Sequence, residues 1–463
     1  MRDFSSLDPW LLWQYYGILY SPDDGKFFVE SGRNLFPIED ELRAIFGKEV
    51  SFLCVDREEF LARQEDIKKK HCQKNVSEGD REEIHSGVHS TLLHELHHWF
   101  DYGIHRGASD IHFEIDQMTV TLRMRIDGTL RTMHQFSSAV RGELSACLKT
   151  MANLDITEHF HPQDGRLHCE SDGRSVECRI SVLPTKNGES IVLRILDKQR
   201  LFPRLDDLTM DRDMIASIRT IMAMESGLFL VVGPTGSGKT TSIYAALQEI
   251  NRSDIKMLTI EDPVEYELDG ILQVPVDFSV GRTFSTVLRA FLRHDPDKIL
   301  VGEIRDEETA KTALQAALTG HLVLSTLHTA TAAEAMVRLR QMRVDQFLLH
   351  CCLRGILSQR LLRLNCPHCS EPMDDKWNCP KIFHSLARDS IKCGRGCEKC
   401  DSIGYAGRQA IFELCIIDDS MRKSLNDGLP LPSPQTHSLA EQALHLMKKG
   451  MVSPEEFLRQ IPC

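Results

Sequence analysis

The chain has 463 residues, 42% of them hydrophobic, and sets 67 acidic side chains against 55 basic ones, for a formal charge of −12. That length exceeds one ordinary hydrophobic core and predicts two to four domains. The acidic balance, with no basic tail, argues against duplex nucleic acid as the main partner. No segment approaches the roughly 18 uninterrupted apolar residues of a bilayer span, which predicts a cytoplasmic protein that reaches a membrane only through a partner.

Residues 1–75 mix aromatic and charged residues in helical-looking stretches and predict a small N-terminal helical domain, with the run PWLLWQYYGILY as core. A charge-dense segment then leads into a linker and helix at residues 76–95. There His94-Glu95-Leu96-His97-His98 satisfies HExxH, the pattern that sets two imidazoles one turn apart in zinc proteases. No third ligand stands out downstream, so the segment reads as a packing helix. Residues 96–205 change to short alternating runs, SDIHFEI, TVTLRMRIDG, RSVECRISVL and ESIVLRIL, with turns at Asp127-Gly128, Asp172-Gly173 and Asn187-Gly188. Such runs predict an α+β domain. Cys54, Cys147, Cys169 and Cys178 read as buried small residues.

Between residues 206 and 355 the apolar strands LFLVVG, KMLTIE, KILVGE and HLVLSTL alternate with helical segments, as in an α/β sheet with crossover helices. The first strand runs into Gly233-Pro234-Thr235-Gly236-Ser237-Gly238-Lys239-Thr240, followed by Thr241. In such a loop successive backbone N–H groups surround a triphosphate, the lysine reaches the outer phosphates and the Thr240 hydroxyl holds Mg²⁺. The next strand ends in the acids Glu261, Asp262 and Glu265, and the one after it in Glu303. The last ends at His328. Ligands of open α/β sheets bind at this strand edge. Glu303 is the candidate to align or deprotonate the attacking water, with His328 placed to sense a γ-phosphate.

Residues 356–425 hold Cys366, Cys369, Cys397 and Cys400, a CxxC…CxxC set suited to tetrahedral thiolate coordination of Zn²⁺. Among the 15 cysteines, Cys379 and Cys393 lie nearby as spare thiols or swapped ligands. Residues 426–463 form a C-terminal helical region.

The boxes GPTGSGKTT, TIEDPVEY, VGEIRDEETA and TGHLVLSTLHT, in this order and spacing, resemble the secretion ATPases of bacterial type II secretion and type IV pilus systems. GASDIHFE, RIDG, PQDGR and the GES..LRIL segment extend the likeness over residues 100–425. The resemblance implies a RecA-like P-loop ATPase core preceded by a smaller α+β, PAS-like domain, in a homohexamer. It implies ATP and Mg²⁺ as ligands of the loop, catalytic roles for Glu261, Glu303 and His328, and phosphate-facing arginines among Arg123, Arg125, Arg179, Arg194, Arg289 and Arg293. The cysteine pairs followed by GYAGRQAIFEL are typical of export-type members.

In that family the N-terminal domain docks on an inner-membrane assembly protein, so exposed members of the first aromatic run would form that surface. The expected function is a cytoplasmic ATPase, peripheral to the inner membrane, that drives type II secretion. A type IV pilus assembly motor shares every box, although only about 90 residues precede the ATPase unit here, fewer than pilus motors often carry. Two departures would slow the ATPase: His328 is followed by Thr329-Ala330 where the family has Thr-Asn, and EHFH precedes Pro162 where basic residues are common.

Overall fold

The computed structural model describes residues 19–21, 26–30, 52–55, 57, 60, 63, 88–171, 174–196, 203–373, 380, 383, 391–426 and 436–461. The chain divides into two units, Met1–Trp99 with Val140–Phe160, and Phe100–Ala139 with His161–Cys463.

In the first unit, β1 (Leu19–Ser21), β2 (Lys26–Glu30) and β3 (Phe52–Val55) form a small sheet, β1 antiparallel and β3 parallel to β2. Helices were expected here. The run Phe27-Phe28-Val29, fully buried, has the aromatic and β-branched character that favours a pleated surface instead. Cys54 is exposed, contrary to the expectation of burial, because its neighbour Val55 takes the inward position in β3. Most of the aromatic run, and Cys379, lie outside the described residues. Helix α1 (Val88–His105) carries the HExxH pattern, with His94 and His98 exposed, and α2 is Arg141–Met151.

The second unit holds two larger sheets. Strands β4 (Asp110–Ile115), β5 (Thr119–Ile126), β6 (Thr129–Ser137), β7 (Gln163–Ser171), β8 (Arg174–Thr185) and β9 (Gly188–Leu196) form an antiparallel sheet in the order β6-β5-β4-β9-β8-β7. Period-two alternation builds it: Val120, Leu122, Met124 and Ile126 of β5 are buried, while Arg123 and Arg125 face the other side. At the β5–β6 turn Asp127 and Gly128 both take positive φ, 50° and 78°, the backbone that a two-residue hairpin demands. The turn expected at Asp172-Gly173 lies outside the described residues.

The chain continues through α3 (Arg212–Met222), β10 (Gly227–Val232), α4 (Lys239–Ile250), β11 (Met257–Glu261), β12 (Leu272–Pro275), α5 (Phe284–Phe291), β13 (Lys298–Val301), α6 (Glu307–Leu318) and β14 (Leu322–Leu327). Then follow α7 (Ala332–Gln341), α8 (Gln346–Cys352), β15 (Leu353–Asn365), β16 (Ser370–Pro372), β17 (Lys392–Gly394), β18 (Tyr405–Ile416), α9 (Asp419–Asn426), α10 (Leu439–Lys448) and α11 (Pro454–Gln460). The main sheet has the order β12-β11-β13-β14-β10-β15-β18. Its first six strands are parallel and β18 is antiparallel to β15. Every residue of β10, β11, β13 and β14 is buried, as expected of a parallel sheet covered by helices on both faces. Strands β15 and β18, grouped with the cysteine element on sequence grounds, belong to this sheet.

The free edge of β18 is closed by side chains. Gln442 both accepts from Phe412 N–H and donates to its carbonyl, and Thr436 does the same at Leu414. These groups stand in for a neighbouring strand and blunt the edge. Beside them a cleft of about 1100 Å³, lined by Asp213, Gln409, Glu441 and His445 among others, contains no residue of the phosphate loop.

Helix α11 is anchored by Glu456, which is fully buried and accepts from Arg363 Nε at 2.8 Å, from Arg363 N–H at 3.1 Å and from Arg459 at 2.8 Å. Burial alone would raise the Glu456 pKa; the hydrogen bonds from Arg459 and Arg363 outweigh it and hold the carboxyl below its usual range. Replacing Glu456 by Ala leaves the Arg363 charge buried without its partner, at a cost of about 3 kcal/mol, read as faster hydrogen exchange in residues 454–461. A depressed carboxylate stabilises the fold above its unfolded pKa of about 4.3 and loses that contribution as the pH falls through the folded value. Wild-type and Glu456→Gln exchange rates should therefore converge in acid.

Candidate active site and metal centre

The phosphate loop leaves the sheet from β10, between β14 and β15. Its glycines are forced by what surrounds them. A Cβ at Gly233 would lie 2.5 Å from the Gln359 carbonyl oxygen of β15 and equally close to Ser237 Oγ. Gly238, at φ 87°, caps the N-terminus of α4, and a Cβ there would sit 2.9 Å from Gln359 Nε2. Pro234, Thr235 and Gly236 form an exposed tip, whereas Ser237 is buried with its hydroxyl unpartnered.

Lys239 folds over the loop and donates to the carbonyls of Gly233 at 2.8 Å and Pro234 at 3.1 Å. Burial pushes its pKa down to about 8, against the pull of Glu303. Thr240 and Thr241 open α4 with exposed side chains. Helix-terminal N–H groups, a held-back lysine and an exposed hydroxyl suit a polyphosphate with a divalent cation.

The carboxyl ends of β11, β13 and β14, side by side in the sheet, bring the other candidates to the same edge. Glu261 is buried and fully engaged: it accepts from the Tyr244 hydroxyl, from Thr259 Oγ1 at 2.5 Å and from Gln273 Nε2 at 3.1 Å. Burial, then the Glu261 charge, push the Tyr244 pKa up. Glu303 faces a different set of partners. Its carboxylate lies 2.5 Å from Arg305 Nη2 and 3.4 Å from His328 Nε2. Burial, with Lys239 second, lowers the His328 pKa, so the ring is neutral near pH 7.

Arg305, which also reaches Asp262 at 3.4 Å, was missed in the sequence. Its signal was position, since a cation two residues after an acid in an extended segment projects to the same side.

The six arginines part company. Arg179 crosses from β8 to the segment after β11, donating to Val264 O at 2.5 Å with Glu265 at 4.0 Å. Arg194 and Arg125 flank Asp110, their cross-strand neighbour, at 3.0 and 3.8 Å. Arg123 pairs with Glu114 at 3.0 Å. On the surface, Arg289 pairs with Glu308 at 2.7 Å, and Arg293 donates to Arg289 O.

The four cysteines converge. Their sulfurs all lie within 4.8 Å of one another, with Cys366–Cys397 at 3.9 Å, Cys369–Cys400 at 3.8 Å and Cys397–Cys400 at 3.8 Å. Thiolates about 2.3 Å from a tetrahedral zinc stand about 3.8 Å apart, so the set fits Zn²⁺. Backbone N–H groups of Gly396 and Gly404 point at Cys369 and Cys400 sulfur at 3.3 and 3.2 Å, favouring the charged form. Among the described residues this is the one group of three or more ligating side chains that meets so closely. Asp401, next to Cys400, accepts from Arg106 at 2.6 Å and Arg131 at 2.9 Å, tying the metal lobe to the antiparallel sheet.

A phosphate loop at the carboxyl edge of a parallel sheet, with a carboxylate, an imidazole and a lysine gathered there, defines a P-loop nucleoside triphosphatase. The profile of the family described as type II/IV secretion system protein matches residues 89–459, and the chain belongs to that family. It is 43% identical over 364 residues to the type II secretion system ATPase E of Vibrio cholerae serotype O1, covering 77% of this chain and 72% of that protein. It is also 43% identical over 365 residues to the type II secretion system protein E of Pseudomonas aeruginosa, with the same coverages of 77% and 72%.

Among solved structures, the pilus retraction motor PilT with bound ADP is 25% identical at a TM-score of 0.53, over 80% of this chain and 97% of that one. The Legionella pneumophila ATPase DotB shares the fold at 21% identity and a TM-score of 0.58, over 82% and 96%. The family makes this chain an ATPase and implies nucleotide and Mg²⁺ at the loop. Purified chain should carry about one zinc per copy, released by a thiol-reactive mercurial and absent from a Cys397→Ser, Cys400→Ser variant, as read by elemental analysis.

Proposed function

We propose that this chain hydrolyses Mg²⁺·ATP as one subunit of a homohexamer and so drives pseudopilus assembly and protein export by a type II secretion system. The observation that carries this reading is the meeting of Lys239, Glu303 and His328 at one sheet edge in a chain so similar to secretion ATPases. The loop from Gly233 to Thr241 binds the phosphates through N–H groups and Lys239, and the Thr240 hydroxyl holds the Mg²⁺. Glu303 aligns the attacking water and takes up its proton, with Arg305 and His328 fixing the direction of its carboxylate. The single N–H of neutral His328, which faces Glu303 here, turns to a γ-phosphate oxygen when nucleotide is bound. Glu261, already saturated with donors, positions the β11 edge and the acids that follow it.

Arg179, which already touches the segment after β11, is the arginine best supported as a charge-neutralising group for the nucleotide of its own chain. Arg123, Arg125, Arg194, Arg289 and Arg293 find their partners away from the segment after β11 and act across a subunit boundary in the ring. ATP binding closes the α+β domain on the core and product release reopens it. Residues 1–75 dock on an inner-membrane platform protein and hold the ring, from the cytoplasmic side, against the membrane. Among the described residues no helix is long and apolar enough to cross a membrane. A role in type IV pilus assembly uses the same site; the relatives named above favour secretion.

Glu303→Gln should keep ATP affinity within about threefold while turnover falls at least about 100-fold, whereas Lys239→Ala should lose binding itself. Phosphate release and binding of a fluorescent ATP analogue separate the two. Near-normal turnover in the Gln variant would remove Glu303 from the chemistry.

A further inference from the structure

Strand β15 runs parallel to β10, with Ser358 opposite Val232, so its next residues continue alongside the phosphate loop. Gln359 supports that loop: its side chain accepts from Ser242 at 2.9 Å and its carbonyl closes on Gly233. Arg360 follows and, by strand alternation, projects from the opposite face. It is only 4% exposed and makes three hydrogen bonds, all to backbone carbonyls: Gln359 at 3.1 Å, Ala330 at 2.9 Å and Gln460 at 3.3 Å.

Among the described residues no carboxylate forms an ion pair with Arg360; Glu334 and Glu413 act on it only through their fields. Arg363, also buried, is matched with Glu456, and half-buried Arg131 with Asp401; half-buried Arg354 also has backbone carbonyls as its partners, but Arg360 is the more deeply enclosed. A buried cation without its counter-charge is costly and calls for a reason.

Its three partners supply the reason. Ala330 lies two residues past His328 and just before Thr331, the N-cap of α7. The loop between them is short of internal support, since Thr329 Oγ1 is buried without a partner and Ala330 N–H is held by Glu334. Gln460 is the last residue of α11. One guanidinium thus joins the strand beside the phosphate loop, the loop that carries His328, and the end of the C-terminal helix.

We propose that Arg360 is a positioning residue of the ATPase reaction, holding the 328–330 loop so that His328 meets Glu303 and tying that loop to α11. The proposal rests on the ATPase reading. Its charge also bears on Lys239, so a polyphosphate at the loop brings counter-charge toward Arg360 and favours its buried, charged form.

The test uses full-length wild-type, Arg360→Ala and Arg360→Lys proteins. Steady-state ATP hydrolysis is measured together with hydrogen exchange in residues 326–332 and 454–461, with and without a non-hydrolysable ATP analogue. In the Ala variant kcat should fall about tenfold or more while KM stays within about threefold, and nucleotide-induced protection of 454–461 should vanish. Lys keeps the charge but cannot reproduce the planar fork across three carbonyls, so it should likewise leave KM near wild type while kcat stays low, and it serves as the readout if the Ala variant does not fold.

A turnover within about twofold of wild type, or a loss that only tracks the folded fraction while protection of 454–461 persists, overturns the proposal. Wild-type protein that binds but never hydrolyses ATP would sink the ATPase reading, and the exchange measurement would still decide the role of Arg360.

Discussion

The site depends on how closely β15 presses against the start of the phosphate loop. The Gln359 backbone and side chain occupy the volumes that Cβ atoms at Gly233 and Gly238 would need, so the loop can turn only with glycine at both places. Once it turns, the N–H groups at the head of α4 face outward and Lys239 is drawn down onto the loop's own carbonyls. The chemistry at the edges of β11, β13 and β14 matters only because that strand fixes where the phosphates can lie. Parallel pairing, glycine placement and phosphate geometry are one constraint.

Charge is handled differently at each level. On the surface, pairs such as Arg289 with Glu308 are exposed and contribute little. At the active edge, Glu303 shares its two oxygens between a permanent cation and a neutral ring, which fixes its direction. Deeper, Glu456 accepts from both Arg363 and Arg459 and holds α11 to the sheet. Asp401, the residue beside the ligand Cys400, joins Arg131 of the antiparallel sheet and Arg106 of the turn before it, so the cysteine lobe faces both the core and the domain that precedes it.

The phosphate loop, Glu303, His328 and the four cysteines were legible because each is a local pattern whose chemistry needs fixed spacing. The strands leading into them were legible for a related reason: a parallel sheet buried on both faces reads as unbroken apolar runs. The two outer strands of the sheet were not. β15 carries Ser358, Gln359 and Arg360 in its buried middle, which breaks the apolar pattern; Gln359 is there to support the neighbouring phosphate loop. β18 reads as part of a cysteine motif, and only its pairing with β15 shows otherwise. The first domain was expected to be helical from its mixed composition, and the strands described there rest on a few aromatic residues too short in span to show a period. Contacts such as Arg131 with Asp401 join positions 270 residues apart and leave no trace in either segment.

Strand β15 reaches from Gln359, against the phosphate loop, to Asn365, and the next residue is Cys366, the first sulfur ligand. The interval is seven residues, about 23 Å if extended, and Arg360, Arg363 and Asn365 each grip the C-terminal lobe along the way. A ruler of this kind has no slack. Adding or deleting one residue within it would turn either the arginines or the cysteine to the wrong side, so the length of 359–366 is the part of this chain least able to change.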